Sequence, residues 1–429
     1  MKFCAAGDII IGRRIQDGYK GFCELTPIIE SADARFFNLE TTLNHEGECF
    51  ASEVSGGTYI RTNPEVLEDV KKFGFNMTSF NNNHAMDFSF EGLLLTLDAV
   101  NKSGLVHSGV GRTLGEASAP RYLDTDKGRV ALISVNSTLS GQMRAGKQSE
   151  RIKGRPGVNG LRTTHHVELE SADFEKIKEI IDKTGINAAR KIYEKEGYYG
   201  GVSDKVNIGA YNFTSGNTTK YTKKMNEADL ERIKDSIYEA KLQADYIMVS
   251  FHAHDIEGDE KENPAEFIKE FSHFCIDNGA HAVVGHGPHL LRPIEIYKDC
   301  PIFYSLGDFV IELYNIEFAP DELYSQYNLT TASTVHELLK TRSQNFTVGL
   351  MEDKRMSTTI LPVWEMEDGK LKSLKVYPVL ASMDGNKSER GLPRLCTDPE
   401  LLADFIDRCK AYGTTLIRQE DGSYDCIWN

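Results

Sequence analysis

Side chains that bind divalent metals recur in this sequence where short apolar runs end. The set comprises Asp8, Glu40, Asn83, His252, His286 and His289. Carboxylates, an amide oxygen and imidazoles suit ions of intermediate hardness, such as Mn²⁺, Zn²⁺ or Fe²⁺, better than Ca²⁺, which takes oxygen ligands alone. Because a single ion seldom uses so many protein ligands, the set predicts two ions bridged by one carboxylate, with open positions for water and substrate.

Two short segments carry most of the specificity of this pattern. Residues 285–289 read GHGPH, and two histidines on a tight strand exit can converge on one centre. A single buried histidine is more often a satisfied core residue. Residues 81–84 read NNNH, and three amides with an imidazole are unfavourable to bury without partners. The alternative interpretation, a turn that caps the next helix, leaves His84 without a role.

The elements that would position these side chains alternate between short apolar runs and amphipathic stretches, which predicts an α/β fold. Predicted strands cover residues 3–6, 35–37, 76–80, 130–135, 246–251, 282–284 and 302–305. Predicted helices cover residues 64–73, 90–103, 172–183, 227–243 and 264–278. Most of these strands end in a polar cluster, and loops beyond the carboxyl ends of strands are where α/β proteins build their sites.

The pattern also predicts how the chain is divided. Residues 1–310 form the expected metal-binding domain, with an insertion at about 137–244 that carries two helical pieces and acts as a lid or specificity element. Residues 311–429 are expected to pack on the same domain as a C-terminal extension. Within it we predict a β-hairpin at 358–364 and 371–379, a helix at 399–412 and two short final strands.

Composition excludes several classes of function. The 49 Lys and Arg against 64 Asp and Glu give a net charge of −15, which excludes a nucleic-acid or anionic-membrane binder driven by bulk charge. No apolar run approaches the ~20 residues of a membrane span. The first apolar run is interrupted by Gly7 and Asp8, which predicts a strand and not a signal peptide. The 8 scattered cysteines then indicate reduced thiols in a cytoplasmic protein.

The motifs together resemble a known family. In order, the chain contains AAGDIIIGRR, FFNLETTL, SFNNNHAMDF, VSFHAH, VVGHGPHLLRPIEIY and IFYSLGDFV. This series resembles the CapA family of capsule-biosynthesis proteins, linked to poly-γ-glutamate, within the calcineurin-like metallophosphoesterase superfamily. The resemblance runs from residue 3 to about residue 310. It implies a four-layer α-β-β-α metallophosphoesterase-like sandwich that binds two divalent ions.

The resemblance also implies a role for each metal-binding residue. Asp8 is similar to the carboxylate that binds the first ion, and Glu40 stands where the superfamily has an aspartate that bridges both ions. Asn83, His252 and His286 would bind the second ion. His289 would return to the first.

Further positions follow from the same resemblance. His84 would be a catalytic acid that contacts the substrate, and Asp87 would orient its imidazole. His254 and Asp308 are additional candidates near the ions. Ile10 occupies the place of the histidine in the D-x-H motif of the wider superfamily, so the first ion loses one nitrogen ligand.

Arginines in two places suit an anionic substrate, because a guanidinium binds phosphate or carboxylate through two parallel hydrogen bonds. Arg13 follows the first metal-binding turn, and Arg155 and Arg162 enclose a segment that includes Asn159. With His254, these residues are the predicted substrate-binding set. Exposed arginines that bind only solvent are the alternative interpretation. The expected substrate is an anionic small molecule, peptide or polymer.

The leading hypothesis is a dinuclear metal-dependent hydrolase. A metal-bound hydroxide would attack a phosphoester or a glutamyl or peptide-type bond, with His84 as acid, in poly-γ-glutamate or capsule metabolism. A metal-dependent peptide or amino-acid epimerase on the same site is one alternative, since a metal-bound carboxylate acidifies the adjacent Cα–H. A non-catalytic scaffold for polymer assembly is another.

Overall fold

The structure is a computed structural model that describes residues 1–198, 206–349, 353–383 and 386–428. It divides into two compact units. The larger unit comprises Met1–Gly160 and Arg232–Asn429, and the smaller comprises Leu161–Glu231. The smaller unit falls within the insertion expected at about 137–244. The expected borders of the main domain and of the extension remain predictions.

The strands, in chain order, are β1 (Lys2–Ile10), β2 (Ala34–Leu39), β3 (Thr42–Leu43), β4 (Arg61–Thr62), β5 (Met77–Ser79), β6 (Val106–Ser108), β7 (Val110–Gly111), β8 (Arg121–Thr125), β9 (Gly128–Asn136), β10 (Gly157–Val158), β11 (Thr163–Glu170), β12 (Val206–Ile208), β13 (Tyr211–Gly216), β14 (Lys220–Met225), β15 (Tyr246–His252), β16 (Ala282–His286), β17 (Leu291–Tyr297), β18 (Cys300–Leu306), β19 (Asp308–Ile311), β20 (Thr358–Glu367), β21 (Lys370–Ala381), β22 (Pro393–Leu395), β23 (Thr414–Arg418) and β24 (Tyr424–Trp428). The helices are α1 (Lys20–Glu30), α2 (Val66–Lys71), α3 (Ser89–Ser103), α4 (Leu114–Ser118), α5 (Ser171–Thr184), α6 (Ala188–Lys195), α7 (Glu227–Lys241), α8 (Glu266–Asp277), α9 (Asp321–Gln326), α10 (Val335–Arg342) and α11 (Ala403–Ala411).

Two stacked sheets form the centre of the larger unit. The first has the order β23-β24-β21-β20-β1-β2-β5-β6, with β19 also paired to β1 and β22 to β21. The second has the order β17-β18-β16-β15-β9-β8. The Trp364 ring of β20 packs between Phe3 of the first sheet and Phe303 of the second, at centroid distances of 5.3 and 5.1 Å. These aromatic rings therefore fill the space between the sheets.

Helices cover the outer face of each sheet. In β2, Phe36 points toward His286 of the second sheet, whereas its neighbour Phe37 belongs to a core cluster with residues of α1, α2 and α3. Alternate residues of a strand face opposite sides, so β2 is apolar on both faces. On the other side, Phe271 of α8 packs on Phe251 of β15 at 4.4 Å. The predicted four-layer α-β-β-α sandwich is confirmed.

The smaller unit has a sheet of its own, with the order β12-β13-β11-β14. β11 pairs in parallel with β13 and antiparallel with β14. The helices predicted at 172–183 and 227–243 correspond to α5 and α7, whereas α6 and the sheet were not predicted.

Strand register aligns the candidate site residues. In the first sheet Asp8 of β1 lies opposite Asn38 of β2 and Asp308 of β19, in parallel pairs. In the second sheet His252 lies opposite His286, also in a parallel pair. Because the paired strands are parallel within each sheet, these side chains come together at or near the strand ends, as the sequence predicts. No helix in the described part of the chain is both long enough and apolar enough to span a membrane.

Candidate metal centre

A close backbone approach places Asp8 at the centre of the site. The Asp8 amide donates to the Gly307 carbonyl at 3.0 Å, and a side chain on Gly7 would collide with that same carbonyl. Glycine is therefore required before Asp8, where β1 meets the turn between β18 and β19. The Asp8 carboxylate accepts hydrogen bonds from Asn38 Nδ2 at 2.6 Å and from the Gly287 amide at 2.9 Å. These two donors fix its orientation.

The histidines of the second sheet form one contact network around His252. Its Nδ1 lies 2.8 Å from His286 Nδ1, and its Nε2 lies 2.7 Å from Asn83 Oδ1 and 3.1 Å from His254 Nε2. His286 Nε2 is bonded to Ser250 Oγ at 2.7 Å. Because Nε2 of His286 is hydrogen-bonded to Ser250, the other ring nitrogen of His286, Nδ1, faces His252. Two ring nitrogens that face each other in this way are suited to binding one ion.

Buried carboxylate oxygens without partners are the strongest sign of a cation-binding site. Glu40 is fully buried, and neither of its oxygens has a hydrogen-bond partner among the described residues. Asp308 Oδ2 is also buried without a hydrogen-bond partner among the described residues, although Asp308 Oδ1 lies 3.0 Å from His289 Nδ1. An unpaired buried carboxylate is strongly unfavourable, and a bound metal ion would remove that penalty.

Burial shifts the pKa of every carboxyl group in the cluster upward. Burial, followed by the neighbouring charge of Asp308, raises the pKa of Asp8 to about 7. Burial and then the Asp8 charge raise the pKa of Glu40 well above its ordinary value, and burial also raises that of Asp308. Three carboxyl groups are thus held close together in a low-dielectric site without enough positive charge from the protein.

Most imidazoles of the cluster are held neutral, which is the form that binds metals. Burial lowers the pKa of His286 to about 3 and those of His252 and His254 well below the ordinary value, with neighbouring histidines adding to the effect in the last two. His289 differs. Burial opposes its charged form, but the Asp308 carboxylate outweighs this effect and raises its pKa.

The donor atoms form three overlapping groups, each with its atoms within 4.8 Å of one another. The groups are Asp8 with His252 and His286, Glu40 with His254 and His289, and Asp8 with His289 and Asp308. This mixture of oxygen and nitrogen donors fits a divalent metal. The structure thus brings together all six predicted metal-binding residues, and the two additional candidates, His254 and Asp308, lie in the same cluster.

His84 lies at the edge of this cluster, oriented by a carboxylate. Its Nδ1 is 2.7 Å from Asp87 Oδ2, as the sequence predicts for an orienting pair. Asp87 also accepts from the Ile60 amide at 2.8 Å and the Gly56 amide at 3.2 Å. A Cβ on Gly56 would lie 2.9 Å from His84 Nε2. The segment 51–60, which the sequence did not single out, therefore borders the free nitrogen of His84.

The predicted substrate-binding residues lie in different parts of the structure. His254 is in the cluster. The Arg13 Nε donates to Glu312 at 2.5 Å, on the wall of a cleft of about 940 Å³. Arg155 donates to the Arg144 carbonyl at 2.9 Å.

Asn159 and Arg162 likewise bond to other groups of the protein. Asn159 is fully buried, where its amide donates to the Ser134 carbonyl at 2.8 Å and its oxygen accepts from Arg232 Nε at 3.2 Å. Arg162 belongs to the smaller unit and pairs with Asp229 at 2.8 Å. The side chain of Asn159 is therefore bonded within the larger unit, and that of Arg162 within the smaller unit.

Arg292 supports the site and was not recognised from the sequence. It is 1% exposed, and its guanidinium donates to the carbonyls of Lys261 at 2.9 Å and His254 at 3.2 Å. Burial lowers the pKa of Arg292 to about 10. Arg292 therefore holds the backbone of His254 in place. The only sequence signal was its position three residues after His289.

Comparison with known proteins identifies a family for this chain. The family model described as "Bacterial capsule synthesis protein PGA_cap" matches residues 2–312. The chain is 31% identical to the uncharacterized protein y4sH of Sinorhizobium fredii, over 93% of this chain and 86% of that protein. It is 24% identical to the PGA biosynthesis protein CapA of Bacillus subtilis, over 85% and 80% of the two chains. The crystal structure of a phosphatase from Mycoplasma pneumoniae is similar at 12% identity and a TM-score of 0.40, over 89% of this chain and 93% of that one.

Proposed function

Because this chain belongs to the PGA_cap family of bacterial capsule synthesis proteins, we propose that it is a metal-dependent hydrolase acting on an anionic substrate. The resemblance to CapA proteins is confirmed by the same match. The observation that carries the proposal is the set of buried carboxylate oxygens on Glu40 and Asp308 that have no partner among the described residues. A bound cation would balance the charge of such a set, and the neutral imidazoles beside it are suitable ligands.

The ligands divide into two groups that share Glu40. Asp8, His289 and Asp308 would hold one divalent ion, and Asn83, His252 and His286 would hold the other. Glu40 would bridge them, since its oxygens are free and His252 Nε2 lies 4.0 Å from Oε1. Mn²⁺, Zn²⁺ and Fe²⁺ fit this donor set. When bound, the ions would supply Lewis acidity and lower the pKa of a water molecule.

The residues of the chain supply orientation and proton transfer. Asp87 accepts the Nδ1 proton of His84, so that Nε2 faces the segment at Gly56 and can donate a proton to a leaving group once the ring is protonated. Asn38 and the Gly287 amide hold the Asp8 carboxylate still. Ser250 does the same for the His286 ring.

The family and the name of the Bacillus subtilis relative support a substrate from capsule or poly-γ-glutamate metabolism. The scissile bond is then a phosphoester or a glutamyl or peptide-type bond. A cytoplasmic location remains a prediction.

The experiment measures metal content and turnover on one preparation. The protein, purified without chelators, should contain Mn, Zn or Fe by inductively coupled plasma mass spectrometry. With added Mn²⁺ it should hydrolyse bis(4-nitrophenyl) phosphate, 4-nitrophenyl phosphate or a γ-linked glutamyl oligomer. His84→Asn should keep the metal and lose about 10²- to 10⁴-fold in turnover.

Two results would replace this proposal with one of the alternatives. Deuterium uptake from D₂O at the Cα of a glutamyl peptide, with no bond broken, would indicate an epimerase. A protein that holds no transition metal under saturating Mn²⁺ would indicate a scaffold.

A further inference from the structure

A pocket of about 510 Å³ in the larger unit combines apolar walls with cationic side chains. We call it the flank pocket. Its apolar lining includes Leu313, Ile316, Leu339, Phe346 and Met356, and its cations are Lys261, Arg342 and Arg355. Nothing in the proposed mechanism uses these residues. Apolar surface beside positive charge is suited to a ligand that has both an apolar body and an anionic group.

One short stretch of chain and two contacts connect the flank pocket to the candidate metal centre. Thr58 lines the pocket and stands two residues from Gly56, which borders His84. Met356 packs in one cluster with Leu290, the residue after His289. The Arg292 guanidinium binds the carbonyls of both Lys261 and His254. The pocket therefore lies beside the metal-binding residues.

The cations of the flank pocket differ in whether they are already neutralised. Arg355 pairs with Asp353 and with Glu262. Lys261 and Arg342 have no hydrogen-bonded or ion-paired acceptor for their charged groups among the residues that the structure describes. Loss of solvent around its ammonium lowers the pKa of Lys261. Two positive groups are thus available at the pocket for an external anion.

We propose that the flank pocket is a substrate subsite in which Lys261 and Arg342 bind a carboxylate or phosphate while the apolar walls hold the chain attached to it. The ligand class is an amphipathic anion. This inference rests on the proposed function, because it extends the same active site. It assigns the substrate a second anionic group, separated by an apolar segment from the bond that is hydrolysed.

The test is a binding measurement that needs no turnover. Isothermal titration calorimetry would compare hexyl phosphate, hexanoate, hexanol and inorganic phosphate, each added to the EDTA-treated full-length protein. Because no metal ion is then present to bind the anion, the measured affinity is that of the flank pocket. We expect hexyl phosphate or hexanoate to bind more tightly than both hexanol and inorganic phosphate, since each buried methylene contributes about fourfold. The tighter of the two anions identifies the group that the site prefers.

Variants identify the residues responsible. Lys261→Gln/Arg342→Gln should weaken binding of the preferred anion by about tenfold or more, because two charge-assisted hydrogen bonds are lost. Lys20→Gln/Lys102→Gln removes the same charge from helices α1 and α3 and should leave the affinity unchanged. Equal affinity in both double variants would overturn the subsite, as would inorganic phosphate binding as tightly as hexyl phosphate.

The outcome is separable from that of the proposed function. If the protein binds no metal and hydrolyses nothing but still binds the amphipathic anion through Lys261 and Arg342, the anion site stands and the hydrolase is refuted. If the protein is a metal-dependent hydrolase but its anion affinity is the same in Lys261→Gln/Arg342→Gln, the proposed function stands and the subsite is refuted.

Discussion

At the scale of single residues, the candidate centre concentrates groups that are unfavourable without a cation. Asp8, Glu40 and Asp308 are fully buried carboxyl groups within one cluster, and burial raises the pKa of each. A protein does not stabilise itself with such groups. Clusters of buried titratable groups of this kind are concentrated at functional sites.

Glu40→Gln separates the stability of the metal-free protein from its metal affinity. The neutral amide removes a buried carboxylate whose oxygens lack partners, so the metal-free variant should gain about 1–3 kcal/mol in the free energy of unfolding at pH 8. Its Mn²⁺ affinity should fall, because the carboxylate proposed to bridge the two ions is gone. Urea unfolding with EDTA and Mn²⁺ titration measure the two effects. A variant that is less stable without metal, or that binds Mn²⁺ like the wild type, contradicts the assignment.

His107, which is outside the metal centre, makes stability depend on pH. Its Nε2 lies 2.8 Å from Asn101 Oδ1, and burial, followed by the charge of Arg121, lowers its pKa from 6.5 to about 4. The unfolded chain therefore binds the proton more readily, and stability should fall as pH drops from 6.5 to 4, by about 3 kcal/mol. His107→Gln keeps a donor for Asn101 and should reduce this loss. Urea unfolding at several pH values measures it; identical pH profiles for both proteins would refute it.

At the scale of elements, the segment 51–60 is held against the site by the backbone and by Asp87. Besides the Gly56 and Ile60 amides, the Ser52 amide donates to the Asp87 carbonyl at 2.9 Å. One aspartate thus orients His84 and fixes the segment that covers it. The Tyr59 amide donates to the Phe318 carbonyl at 3.1 Å, which fixes the segment from its other side.

Gly56→Ala tests this arrangement, because its methyl group would lie against Asn83 and 2.9 Å from His84 Nε2. We expect turnover to fall by about 10²-fold, since the proton donor is blocked. We expect the methyl group to displace segment 51–60 and to leave the candidate metal ligands in place, so the metal content should stay the same. Gly18→Ala is the matched control, because no atom lies within 4 Å of its added carbon. Wild-type turnover in Gly56→Ala would show that Nε2 does not face the substrate.

The sequence predicted the elements where periodicity and strand ends were clear. β15, β16, α3 and α8 lie within a few residues of their predicted ranges, and the hairpin at 358–379 became β20 and β21. Helix α1 was not predicted, because Pro27 within it interrupts the helical pattern. The sheet of the smaller unit was also missed, since its exposed strands are polar and lack a regular alternation.

The same contrast holds for the site. The candidate metal-binding residues were predictable because each one follows a predicted strand, and parallel strands bring their ends together. Segment 51–60 and Arg292 were not predictable, because their roles depend on long-range contacts with Asp87 and with the carbonyls of His254 and Lys261. No local pattern records such contacts.

At the scale of the whole molecule, the candidate centre joins the two sheets of the larger unit. Asp8, Glu40 and Asn83 come from the first sheet and the loops that follow its strands, whereas His252 and His286 come from the second. Any ion held by all of them would connect the two layers. Its binding energy is then also stability of the sandwich.

Removal of metal should therefore lower the melting temperature. At a free Mn²⁺ concentration of 100 times Kd, binding contributes about 2.7 kcal/mol, which corresponds to a few degrees for a chain of this size. Differential scanning calorimetry with Mn²⁺ and with EDTA measures the shift. In Glu40→Gln the shift should be smaller. Coincident transitions of the wild type in both buffers would mean that the ion does not link the sheets.

The position of β1 has a consequence for biosynthesis. β1 lies between β2 and β20 in its sheet, and its Lys2 pairs with Glu365. β1 can therefore pair with β20 only after more than three hundred further residues have left the ribosome. Until then the nascent chain carries an apolar strand with one open edge, the kind of edge that chaperones cover.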